Sequence, residues 1–101
     1  MSVRSQSAIE REILRPLWKV HILHHAAEAP IVGNWMLEEL RTHGYVISPG
    51  TLYPLLGRMV RIGWLSQGAH GRYRITGAGR KALVEVRMRL HELLREVVPE
   101  K

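Results

Sequence analysis

The 101-residue chain has no cysteine, so a disulfide framework, a thiolate zinc site and a Cys nucleophile are all excluded. The absence fits a reducing compartment. No apolar run approaches the ~18 residues that a membrane-spanning helix needs. The N-terminal MSVRSQSAIERE also lacks the apolar core of a secretory signal, so a cytoplasmic protein with no membrane partner is expected. No Ser-His-Asp, paired-carboxylate or phosphate-loop spacing occurs, and Lys19 is the lone lysine of its helix. No enzyme is expected, and no cofactor. Internal repeats and low-complexity stretches are likewise missing.

Acidic residues are the scarce charge: nine Asp and Glu stand against fifteen Lys and Arg, for a net charge of +6. Only Lys19, Lys81 and Lys101 are lysine, so twelve of the fifteen cations are arginine, the residue suited to bidentate contact with phosphate and guanine. The sequence pI of about 10.5 points to an anionic partner, nucleic acid before an acidic membrane surface. A hydrophobic content of 46% in a chain of this length suits one globular domain with one core.

Ser7-Ala8-Ile9-Glu10 fits a capping box for a first helical turn or two. Pro16 suits the first position of a helix running to about Glu28, with Leu17, Val20, Leu23 and Ala27 as its apolar stripe. Ala29-Pro30 ends it. A second helix is predicted from about Val32 to His43, stopped by Gly44. Ser48 and Pro49 open a third as N-cap and first residue, and Leu52, Leu55, Leu56, Met59 and Ile62 form its buried stripe. Gly63 closes it. Trp64 to Gln67 and Arg72 to Ile75 flank Gly68-Ala69-His70-Gly71, which reads as a β-hairpin with Tyr73 and Ile75 on one face and Arg72 and Arg74 on the other. Thr76 caps a last helix to about Val97. Its Leu83, Val86, Leu90, Leu93 and Val97 recur at 3, 4, 3 and 4, the spacing of a dimerisation seam, although such a stripe can also cover its own domain.

The fold class is therefore mainly α with a small β-hairpin, a winged helix-turn-helix plus a C-terminal dimerisation helix. Residues 1–76 form the DNA-binding part with its N-terminal extension, and 77–98 the dimerisation helix of the same compact unit. In such a fold the start of the third helix enters the major groove. Pro49 pre-shapes that end, Gly50 lets backbone approach a phosphate, and free N–H groups favour an anion. Thr51, Tyr53, Arg58 and Arg61 lie off the stripe. Pro54, which should weaken the helix one turn in, reads as an irregularity shaping the contact end. The same run also reads as an amphipathic core helix with a tolerated proline.

ISPGTLYPLLGRMVRIGWL followed by RYRITGAGRKAL resembles the PadR-like family of bacterial transcriptional regulators over about residues 16 to 96. The resemblance implies a homodimer on double-stranded DNA, usually a repressor, with release by a small aromatic or hydrophobic effector in some members. It assigns Ser48, Pro49, Gly50, Thr51 and Tyr53 to the DNA-reading run and Gly71 and Arg72 to the wing. Arg58, Arg61, Arg72 and Arg74 are expected to attract phosphates. Trp18 and Trp35 are candidates to line an effector pocket, with core packing as the alternative for each. The chain departs from the family pattern in a short wing, a short last helix, Gly57 in place of a larger residue, and Asn34-Trp35 after Gly33 where the family often has an aromatic contact. A protein-interaction module without specific DNA binding is the alternative function. His21 and His25 have the i, i+4 spacing of a metal pair but no acidic partner adjacent in sequence, so His21, His24 and His25 are read as solvated surface groups and no metal is assigned.

Overall fold

The computed structural model describes residues 8–99. The Ser7 cap expected for the first turn lies outside the described residues. A wide π-helical turn, Glu10–Leu14, and a tight 3-10 turn, Arg15–Leu17, lead into α1, Trp18–Glu28. The first regular helix thus begins two residues after Pro16 rather than at it. Pro16 has no N–H for an α-type bond, and the turns around it absorb the defect, with Arg15 N–H reaching back to Glu10 O. Ala29, extended before Pro30, ends α1.

Helix α2 spans Gly33–Thr42 and α3 spans Pro49–Ile62. Gly44 (φ 91°) and Gly63 (φ 97°) take the left-handed conformation that stops each. Past Gly63 the chain turns back at once, and Trp64 N–H bonds Met59 O at 3.0 Å. Helix α3 continues through Pro54 without a break, so the expected irregularity is confined to one missing bond: Pro54 has no N–H for the carbonyl of Gly50, four residues earlier.

The hairpin strands are β2, Leu65–Gln67, and β3, Arg72–Ile75. A further strand, β1, Ile31–Val32, pairs with the outer side of β3, giving a three-stranded antiparallel sheet in the order β1-β3-β2. Ile31 faces Tyr73 and Val32 faces Arg72 across one edge, while Leu65 faces Ile75 across the other. The alternation on β3 is as expected: Tyr73 is buried and Ile75 half-buried, whereas Arg72 and Arg74 are exposed. Trp18, Ile22, Leu23 and Ala26 of α1, Met36, Leu37 and Leu40 of α2, and Leu52, Leu56 and Met59 of α3 meet in one core that the sheet closes through Ile31, Leu65 and Tyr73. Ile62, placed in the α3 stripe by spacing, is exposed at the helix end.

Helix α4 runs from Gly77 to Val97. Thr76 Oγ1 accepts from Gly79 N–H at 3.0 Å and donates to Gly63 O, tying the start of α4 to the end of α3. Its apolar seam divides in two. Leu83 is only 3% exposed and Val86 packs beside it on the chain's own core, so Leu83 is not available to a partner, a correction to the seam as read from spacing. Beyond Leu90 the helix leaves the body: Leu93, Leu94 and Val97 are 49%, 54% and 57% exposed.

Candidate nucleic-acid interface

The buried stripe of α3 fixes which of its residues face outward. Leu52, Leu56 and Met59 are fully buried, which leaves Ser48, Pro49, Gly50, Thr51 and Tyr53 exposed at one end and Arg58 and Arg61 exposed further along. Ser48 has the extended backbone of an N-cap, but its side chain makes no capping bond. Its Oγ lies 3.4 Å from Thr51 Oγ1, while the N–H groups of Thr51 and Leu52 both bond Ser48 O at 3.0 Å. The result is a pair of exposed hydroxyls at the positive end of a helix dipole, a setting suited to an anion.

Tyr53 is positioned by the start of α2. Its hydroxyl donates to Asn34 Oδ1 at 3.0 Å, and its ring covers Gly33, where a Cβ would come within 2.6 Å of Tyr53 Cζ. Asn34 therefore has a specific task, which the sequence registered only as a departure from a family pattern. Because Val32 of β1 pairs with Arg72 of β3, the wing strand, the start of α2 and Tyr53 form one connected unit. At the wing tip Gly71 has φ 67°, and Gly68 N–H bonds Arg72 O at 2.7 Å. This closure points Arg72 and Arg74 away from the core on strands pinned from both sides.

Beside the exposed end of α3 lies a concave surface of about 460 Å³. Thr51, Arg58 and Arg61 line it from α3, Arg11 and Arg15 from the turns before α1, and Lys19 from the start of α1, with no carboxylate among the lining residues. Arg15 is held with its guanidinium 5.8 Å from the Trp18 ring centroid. Five cations unopposed in one concavity concentrate positive potential next to the reading end of the helix.

Trp18 and Trp35 do not share a pocket. Trp18 is 2% exposed in the core, while Trp35 is 47% exposed on α2 and lines a separate groove with His25, Val32 and Arg72. An apolar concavity lies elsewhere, about 310 Å³ between α1 and the middle of α4, lined by Leu17, Val20, Tyr45, Leu83 and Leu90 with His21, His24 and Arg87 at its edge. Nor are the histidines simply solvated. His21 bonds Tyr45 Oη at 3.0 Å, and burial pushes its imidazole below the usual range, assisted by the neighbouring His43, His25 and His24 and opposed by Glu39. Burial, with the Glu10 carboxylate, raises the Tyr45 hydroxyl. Among the described residues no helix is long and apolar enough to cross a membrane.

Residues 22–85 match the Transcriptional regulator PadR-like family. The chain is similar to transcriptional regulator Rv3488 of Mycobacterium tuberculosis (strain ATCC 25618 / H37Rv), 48% identical over 95 residues, covering 87% of this chain and 89% of that protein. Its fold is similar to that of a PadR-like transcription factor from Bacteroides fragilis, with a TM-score of 0.72 at 24% identity over 88% of this chain and 94% of that one. It is also similar to smu.1704 from Streptococcus mutans UA159, with a TM-score of 0.62 at 22% identity over 84% and 92% of the two chains. At these identities the structural likeness speaks for the fold.

Proposed function

The chain belongs to the PadR-like family of transcriptional regulators, and on that premise we propose that it is a homodimeric repressor that binds a pseudo-palindromic operator in double-stranded DNA. The observation that carries the reading is the exposed hydroxyl-bearing end of α3 set against the carboxylate-free concavity of Arg11, Arg15, Lys19, Arg58 and Arg61. In this reading Ser48, Pro49, Gly50, Thr51 and Tyr53 enter the major groove, and the cations and the wing residues Gly71, Arg72 and Arg74 follow the backbone phosphates on either side. Two recognition helices in a dimer would stand about one DNA turn, roughly 34 Å, apart. A small aromatic or hydrophobic effector would suit the concavity of Leu17, Val20, Tyr45, Leu83 and Leu90 better than the separated Trp18 and Trp35.

Replacing Arg72 by Ala tests the wing. Loss of a phosphate contact is expected to weaken specific and unrelated DNA about equally and to reduce the slope of log K against log salt by about one. An unchanged slope would remove Arg72 from the interface.

Tyr53 is expected to act on specificity instead. Tyr53→Ala should weaken operator binding by about tenfold, within the roughly 1–3 kcal/mol typical of a lost specific contact, while affecting unrelated DNA little. Gly33→Ala should reproduce much of that loss without touching the DNA itself, because its Cβ displaces the Tyr53 ring from Asn34. Parallel titrations with operator and unrelated duplex check both, and equal losses on the two DNAs would contradict the assignment.

A further inference from the structure

We propose that His25, Glu39 and His43 form a binding site for a divalent transition-metal ion of the zinc type. His25 sits in the last turn of α1, and Glu39 and His43 lie four residues apart at the end of α2, so the packing of the two helices assembles the group. Glu39 Oε2 lies 3.4 Å from His25 Nε2 and 3.2 Å from His43 Nε2, and one ligand atom from each of the three residues falls within 4.8 Å of the others. Tetrahedral zinc with bonds of about 2.0–2.2 Å separates its ligand atoms by about 3.3–3.5 Å, so the two separations from Glu39 are close to what the ion requires. Two imidazoles and one carboxylate are a donor set that zinc accepts with its fourth position left open to water.

The surroundings fit the same role. The other ring nitrogen of His25, Nδ1, lies 3.7 Å from Glu28 Oε1, too far for a hydrogen bond but on the side from which a carboxylate can orient a ligating ring. The ring of Trp35 packs edge-on against His25 at 5.2 Å, and the His25 side chain is only 15% exposed, which limits its freedom to turn away. The alternative triad of His24, His25 and Glu28 is weaker. Both of its contacts are 3.7 Å, all three residues lie on one helix, and its carboxylate, Glu28, is 65% exposed against 27% for Glu39. His21, whose ring is 5.0 Å from that of His43, has its Nε2 committed to Tyr45 Oη and stays outside the set. An ion in this place would join the end of α1 to the end of α2, the helix whose other end holds Tyr53.

The test uses untagged full-length protein freed of metal with a chelator. Zn²⁺ is titrated in competition with a chromophoric chelator, and Co²⁺ binding is followed by visible absorption. One ion per chain is expected, with a Co²⁺ spectrum of tetrahedral intensity. Glu39→Gln and His43→Ala are each expected to lower Zn²⁺ affinity by about tenfold or more, a loss at least as large as removal of an outer-shell partner causes, and His24→Ala by less than about twofold. His43 and Glu39 are outside the core, and melting of the metal-free variants confirms that they fold. The proposal is overturned by the absence of saturable binding, by Glu39→Gln and His43→Ala proteins that bind as tightly as the parent, or by a loss carried by His24→Ala instead. None of these outcomes bears on DNA binding.

Discussion

Replacing Leu93 and Leu94 together by glutamate is expected to convert the protein from dimer to monomer and to lower operator affinity by about two to three orders of magnitude. The size follows from avidity: two half-sites bound by linked modules gain roughly 10²–10⁴ over one module alone. The location follows from how α4 spends its apolar residues. Leu83 and Val86 serve the chain's own core, and Leu90 closes the apolar concavity against Leu17 and Val20. Val84, Met88, Leu93, Leu94, Val97 and Val98 remain exposed, and the last four, each about half exposed, gather at the C-terminal end of α4. Ile9 and Ile13 of the N-terminal segment are exposed as well. A cluster of large apolar side chains on one projecting helix marks an interaction surface. Because Leu93 and Leu94 are not part of the core, the double variant should keep its helical circular dichroism while its mass by light scattering halves. An unchanged mass would place the dimer contact elsewhere.

Gly79→Ala is expected to lower folding stability by about 1–3 kcal/mol, which in a domain of this size shifts Tm by roughly 4–8 °C per kcal/mol. In an open helical position the same change would stabilise by roughly 1 kcal/mol, so the sign is diagnostic. At Gly79 an added Cβ would meet the backbone carbonyl of Trp64 and come within 2.8 Å of Ile75 Cγ1. Backbone cannot swing aside as a side chain can, and Trp64 O is already accepting from Thr76 N–H at 3.0 Å. Gly77, two residues earlier in the same turn, has open space around its Cβ position and serves as the control. Gly77→Ala should leave stability unchanged or slightly raise it. Thermal unfolding of the two variants decides the matter, and a Gly79→Ala protein as stable as the parent would contradict the tight junction between α4 and the sheet.

The four helices and the hairpin were legible because each carries its own punctuation: Gly44 and Gly63 as stops, Pro49 as a start, Thr76 as a cap, and apolar residues at helical or alternating spacing. Strand β1 was not, since two residues, Ile31 and Val32, are too short to display a period and are defined only by pairing with β3. Ser48 is the N-cap that its position indicates, but the partner of its hydroxyl was not legible. Whether the side chain turns to a backbone N–H or to Thr51 is settled by local geometry. Arg11, Arg15 and Lys19 did leave a signal, four residues apart on one helical stripe, that went unused beside the more conspicuous third helix. His25 and Glu39 left none. Fourteen positions separate them, and only the packing of α1 against α2 brings the carboxylate to the imidazole. Trp18 takes the core-packing alternative and Trp35 does not, a split that residue type alone does not reveal.

Fluorescence anisotropy of a labelled duplex taken from upstream of the protein's own coding region, set against an unrelated duplex from about 50 to about 200 mM salt, tests most directly whether this chain reads a DNA sequence. A sequence-reading dimer predicts tight binding to the upstream duplex, well above the unrelated one and persisting at the higher salt. Equal binding to both that collapses as salt rises would mean that only the positive charge is at work, and would contradict the proposal.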